Sequence, residues 1–101
     1  MKPDPRQHIY ERDDFTCQYC GKSGAKSFKQ WNDAWFAIDH IKPKKHGGGN
    51  EDSNLVVACH TCNSVKGATM CESIEEGRKI INDKNNQRKK WFNKFVLGEE
   101  S

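Results

Sequence analysis

Two C-x-x-C pairs, Cys17/Cys20 and Cys59/Cys62, constrain this chain more than any other feature. Two residues between ligands let both thiolates of a pair reach one tetrahedral ion at about 2.3 Å. Four thiolates make a closed structural Zn²⁺ site, with no coordination position left for a substrate. One pair alone reads equally well as a redox dithiol, and four cysteines can also form disulfides. Two pairs, each beside a turn, favour the metal. Gly21, directly after Cys20, permits the positive φ that a tight knuckle needs. Bridging the pairs would turn everything from 21 to 58 into a loop closed by zinc. A chain like this needs such a staple: it has 101 residues, 34% hydrophobic and 31% charged, which is thin material for a core. Cys71 is left over and reads as a buried or half-buried free thiol without a role.

The opening stretch, MKPDPRQHIYERDD, has no apolar run and does not read as a secretory signal. No segment approaches the roughly 20 apolar residues needed to span a bilayer. A cytoplasmic location is the expectation, and in a reducing compartment paired cysteines bind metal more often than each other. The net charge of +3 leans mildly toward an acidic polymer. Its distribution is more pointed: Arg78, Lys79, Lys84, Arg88, Lys89, Lys90 and Lys94 face a single acid, Asp83, across that stretch. Such a run is either a solvated helix face or a phosphate-contacting surface.

The patterning predicts a single domain over 1–101. A short helix falls at 4–14 with Ile9 inward, then the first knuckle, then a polar and ambiguous stretch at 22–33. Ala34-Trp35-Phe36-Ala37-Ile38 is the strand candidate, ending at Asp39-His40. Residues 42–53, with Pro43 and three glycines, read as loop. Leu55-Val56-Val57-Ala58 is a second strand, running into the second knuckle and a helix that opens near Asn63 and carries Lys66. Ser73-Ile74-Glu75-Glu76 is a capping box for a helix of about 73–96. Ile74, Ile81, Trp91 and Phe95 would line its inner stripe, although Gly77 and Asn85-Asn86 weaken the middle.

Hydrolysis of a phosphodiester needs a base, a group that orients the base, and a cation for the developing charge. Asp39 offers a hard oxygen to Mg²⁺. His40 is an imidazole, the side chain suited to base work at neutral pH. Neighbours on a strand face opposite ways, so both serve one site only where the strand bends away. Asn54 can hydrogen-bond the imidazole. Asn63 offers an amide oxygen as a second ligand, or simply caps its helix. Lys66 lies one turn further on the same face, to touch phosphate or to sit in solvent. Each alone has a bland alternative; together they fall in order inside one zinc-closed frame.

Asp39-His40-Ile41-Lys42-Pro43, the glycine-rich loop, Asn54-Leu55 and Cys59-x-x-Cys62-Asn63-x-x-Lys66-Gly67 resemble the HNH endonuclease family, from about Arg12 to Gly67. The resemblance implies a small α+β fold, the ββα-metal (treble-clef-like) module with structural zinc knuckles and flanking N- and C-terminal helices. It implies His40 as general base and Asp39 as a ligand of the catalytic metal. Asn54 is then the residue that orients the His40 ring and holds the long loop. The third signature position falls on Asn63, where many members carry His, making this an H-N-N variant suited to Mg²⁺ or Mn²⁺. Lys66 and Arg12 become phosphate contacts. His46 lies in the loop near the substrate path, and Arg88 adds nonspecific phosphate contact from the basic helix. His60 should point outward and His8 should be surface. The implied partner is DNA, possibly RNA, nicked with weak sequence preference by a monomer or homodimer, with no membrane involved. The alternative is a catalytically inactive, zinc-dependent nucleic-acid-binding module, which would have no use for Asp39, His40 and Asn63 together. A third class is a protein-interaction zinc module docking through the apolar side of helix 73–96.

Overall fold

A computed structural model describes residues 6–99. Residues 4 and 5 of the expected first helix lie outside that range. The elements are α1 (Gln7–Arg12), α2 (Phe28–Ala34), β1 (Ala37–His40), β2 (Leu55–Ala58), α3 (His60–Lys66) and α4 (Ile74–Trp91). A π-helical turn, Phe92–Val96, continues α4. Single 3-10 turns at Lys44–His46 and Asp52–Asn54 punctuate the long loop between the strands. The fold is a small α+β arrangement in which one antiparallel hairpin is packed by helices.

β2 is apolar at every position, and the structure buries all of it. A strand buried on both faces fixes its register strongly, because a one-residue slip would break every contact. Ala37 pairs with Ala58, Ile38 with Val57, Asp39 with Val56 and His40 with Leu55. The outer edge of β2 is covered as well. The Val57 N–H donates to Asp13 Oδ2 at 2.9 Å, and Gln18 N–H donates to the Val57 carbonyl at 2.9 Å. Arg12 ties α1 to the same strand, its guanidinium donating to the Asp52 carbonyl at 2.8 Å and the Leu55 carbonyl at 2.5 Å. Ile9, fully buried, is the inward residue of α1.

The first strand starts later than Ala34. The ambiguous stretch before it contains α2, whose N-cap is Ser27: its hydroxyl accepts from Gln30 N–H at 3.1 Å. Trp35 closes that helix in the left-handed region (φ 49°), so the extended backbone begins only after it. Trp31 on α2 stacks on Phe36, with ring centroids 5.1 Å apart. Local capping and aromatic packing thus win over the strand propensity of the Trp-Phe pair.

α4 opens at the expected capping box. Ser73 Oγ accepts from Glu76 N–H at 3.1 Å, and Glu76 Oε2 reaches back to Glu72 N–H at 3.0 Å. Ile81 is buried and Ile74 partly so, but the inner stripe stops there. Trp91 and Phe95 are 60% and 63% exposed, because the helix outruns the core it packs on. The molecule measures 53 × 34 × 19 Å, an elongated shape for its length.

Candidate metal centre and active-site cleft

The hairpin and the start of α3 bring the two knuckles together. The Sγ atoms of Cys17, Cys20, Cys59 and Cys62 lie within 4.8 Å of one another, with Cys20 and Cys59 at 3.8 Å. Four sulfurs about 2.3 Å from a tetrahedral ion stand roughly 3.8 Å apart, so donor set and spacing both fit zinc. The first knuckle is wound by its own backbone: Gly21 N–H donates to the Cys17 carbonyl at 2.9 Å, with Gly21 at φ 82°. Hydrogen bonds from Cys59 and Cys62 pull the Cys17 thiol far down, while the bonds to Cys17 and Cys59 push Cys62 far up. Burial pushes Cys20 up. Four crowded thiols can share little negative charge among themselves, and a divalent ion allows all four to ionise.

Asp39 and His40 from β1 and Asn63 from α3 line one open cleft of about 340 Å³, rimmed by Pro43, Lys44 and Lys45. Asp39 is buried, and both of its side-chain contacts fall on Oδ2. The Tyr19 hydroxyl donates to it at 2.6 Å, and the Lys66 ammonium stands 3.2 Å away. Burial first, and the bond to Asp39 second, raise the Tyr19 phenol well above its ordinary 10.0, so it stays a donor at physiological pH. His40 is half-buried, with Nε2 2.7 Å from Asn50 Oδ1. The Asp39 carboxylate and the Asn63 amide oxygen are hard donors of the kind Mg²⁺ or Mn²⁺ takes.

The HNH endonuclease profile matches residues 17–69, more than half of the chain. The chain belongs to the HNH endonuclease family. The CRISPR-associated endonuclease Cas9 of Corynebacterium diphtheriae is 35% identical over 65 residues, which is 63% of this chain and 5% of that protein. The chain therefore spans only a small fraction of that relative's length. No solved structure matches. No helix among the described residues is long and apolar enough to cross a membrane.

The HNH stretch holds both knuckles, the hairpin and α3. α4 lies beyond it yet supports it through Gly77. A Cβ on Gly77 would sit 2.5 Å from Tyr19 Cε1, so only glycine lets the helix back the Tyr19 ring this closely.

Two expectations for this HNH site are corrected by the contacts. Lys66 was expected to touch phosphate, but it is fully buried. Cys62 and Lys66, four residues apart, are the buried residues of α3, and Lys66 spends its ammonium on Asp39 and the His40 carbonyl, the latter at 3.0 Å. Asn54 was expected to orient the His40 ring. Its amide instead accepts from Lys42 N–H at 2.9 Å and donates to the Lys42 and Gly49 carbonyls at 3.1 and 2.9 Å. It holds the loop, and Asn50 holds the ring. The remaining candidates are placed as follows. Arg12 clamps α1 to β2, with Asp13 raising its pKa through their hydrogen bond. His46 is exposed and bonds the Ala68 carbonyl at 3.0 Å at the cleft edge. Arg88 is exposed on α4, bonded to Asn85 Oδ1 at 3.0 Å and away from the cleft. His8 bonds Asp52, and His60 lies beside Ser64; both are exposed.

Tyr19 and Asn50 escape a sequence reading. An aromatic between knuckle cysteines carries no signal for a bond twenty residues downstream. Asn50 is brought to His40 only because Gly47-Gly48-Gly49 lets the loop fold back, with Gly47 at φ 88°.

Proposed function

We propose that this chain is a metal-dependent endonuclease that hydrolyses phosphodiester bonds of DNA, cutting one strand per event with weak sequence preference. The observation that carries this is one cleft lined together by Asp39, His40 and Asn63. A divalent cation, Mg²⁺ or Mn²⁺, held by Asp39 and Asn63 would neutralise charge on the phosphate and on the leaving 3′ oxygen.

Everything else belongs to the chain's own residues. With Asn50 Oδ1 accepting across the 2.7 Å bond, the imidazole would carry its proton on Nε2 and keep Nδ1 as the basic nitrogen. His40 Nδ1 takes a proton from water as the water oxygen bonds to phosphorus and the bond to the 3′ oxygen breaks. The products are a 5′-phosphate and a 3′-hydroxyl. Lys66, Tyr19 and the zinc knuckle fix the Asp39 carboxylate, while Asn54 keeps the loop that carries Asn50 in place. The cleft is open and edged by Lys44 and Lys45, which suits backbone contact more than base readout. One such cleft per chain makes nicking the unit reaction; cutting both strands would need two chains. A four-thiolate zinc site fits a reducing, cytoplasmic setting.

The test compares wild type with His40→Ala on supercoiled plasmid, with and without added Mg²⁺ or Mn²⁺. The variant should keep its zinc and its thermal melt and lose nicking, and omission of the cation should abolish nicking by wild type. Equal nicking by both proteins would remove His40 as the base. Absence of nicking by wild type, with DNA binding intact, would favour the non-catalytic module.

A further inference from the structure

The distal end of α4 and the turn after it carry an unusual surface. Trp91, Phe92, Phe95, Val96 and Leu97 are 46–63% exposed, and they make up five of the eight exposed large hydrophobics among the described residues. They are interleaved with Arg88, Lys89, Lys90 and Lys94, and no acid falls between Asp83 and Glu99. Trp91 and Phe95, one turn apart, have ring centroids 5.5 Å apart, and the Lys94 ammonium lies 5.3 Å from the Phe95 centroid.

Flat π faces among uncompensated cations match one class of ligand well. Unpaired nucleotides offer bases to stack and phosphates to neutralise, whereas in a duplex the base faces are already stacked. A second copy of the chain matches poorly, since a symmetric pairing would bring the same cations face to face.

The helix that carries the patch is tied to α3, which contributes Asn63 to the cleft. Lys84 ties α4 to the C-terminal end of α3, its ammonium donating to the Lys66 carbonyl at 3.2 Å and to Thr69 Oγ1 at 2.7 Å. From there a groove lined by Ser64, Val65, Lys84, Gln87 and Arg88 leads along α4. At about 1.5 Å per residue, Trp91 lies roughly 10 Å beyond Lys84.

We infer that Trp91 and Phe95, flanked by Lys89, Lys90 and Lys94, form a stacking platform for unpaired nucleotides on the distal part of α4, outside the cleft. The chain would then favour single-stranded or frayed substrate over intact duplex. The inference rests on the nucleic-acid reading of the cleft but not on cleavage itself.

Binding is measured with full-length, zinc-loaded His40→Ala protein and no added divalent cation. The probes are fluorescein-labelled oligothymidylate and a labelled blunt duplex. Adding Trp91→Ala and Phe95→Ala should weaken oligothymidylate binding about tenfold or more, and blunt-duplex binding by no more than about twofold. Both side chains are solvent-facing, so an unchanged thermal melt confirms that the variant is folded. An equal loss on both probes, or none on either, overturns the inference. So does unchanged oligonucleotide binding accompanied by loss of binding to phosphatidylserine vesicles, or by loss of a concentration-dependent dimer. Wild-type plasmid nicking is run in parallel. No nicking with intact stacking defeats the catalytic reading alone, and nicking with no aromatic contribution to single-strand binding defeats this inference alone.

Discussion

The Tyr19 hydroxyl and the Asp39 carboxylate are joined by a 2.6 Å hydrogen bond that runs from the first cysteine knuckle to the cleft. Tyr19 sits between Cys17 and Cys20, so the position of Asp39 depends on how that knuckle is wound. Partners of this kind typically account for ten- to hundredfold in metal affinity or activity, by roughly the same route. Tyr19→Phe keeps the ring against Gly77 and removes only the hydroxyl. It should lower the nicking rate by about tenfold or more and raise the Mn²⁺ concentration needed for half-maximal rate. Titrating Mn²⁺ against rate checks this; a rate fall with no change in the metal requirement would contradict it.

Lys66 has no exposed surface, and its partner Asp39 is 9% exposed at the side chain. Breaking a buried pair leaves the other charge uncompensated, at a cost of about 3–5 kcal/mol. Lys66→Met should therefore destabilise the fold by about that amount in urea titration. Lys89→Met, on the exposed part of α4, should change stability by no more than about 0.5 kcal/mol.

The Cys17, Cys20, Cys59 and Cys62 cluster predicts one zinc ion per chain. The small core makes binding of that ion inseparable from folding. Chelation should abolish the cooperative thermal transition followed by circular dichroism, and adding zinc back should restore it. Cys62→Ser should lose both the metal and the transition.

Stability should also carry a mark of Cys71. Burial raises this thiol above its ordinary 9.0, against an opposing backbone hydrogen bond at Ser73. The folded chain then keeps a proton that the unfolded chain releases. The stability Cys71 contributes is complete below that ordinary value and is lost progressively as pH climbs past it. The urea midpoint of wild type should fall between about pH 8 and pH 10, and Cys71→Ala should fall less over the same range. Identical slopes would contradict the assignment.

Features that depend on short-range spacing were legible in the sequence. The C-x-x-C pairs, the Ser73 capping box and the apolar run of β2 each specify their structure within a few residues. α2 was missed because its start signal, Ser27, stands in a polar stretch with no hydrophobic period, and because Trp35-Phe36 looks extended in isolation. At the site, Asp39, His40 and Asn63 were singled out by type and order, and they line one cleft. Lys66 was read as a surface cation because charge alone suggests solvent; only the shared inward face with Cys62 reveals its burial. Asn54 holds the loop as expected, but the ring contact fell to Asn50 for a similar reason. Which of two loop amides meets an imidazole depends on how the glycines fold the loop, and no residue pattern encodes that.

The segment between the first knuckle and β1 has a consequence for how this scaffold can diversify. Its helix packs mainly through Trp31, on Phe36 and against Tyr10 at a 5.8 Å centroid distance, and none of its residues lines the cleft of Asp39 and His40. Both ends are moored, one by the cysteine cluster and the other by pairing to a buried strand. Lengthening a loop between fixed ends costs little, about 0.6 kcal/mol per doubling. Insertions can therefore be accommodated here while the strand that carries Asp39 and His40 stays in register.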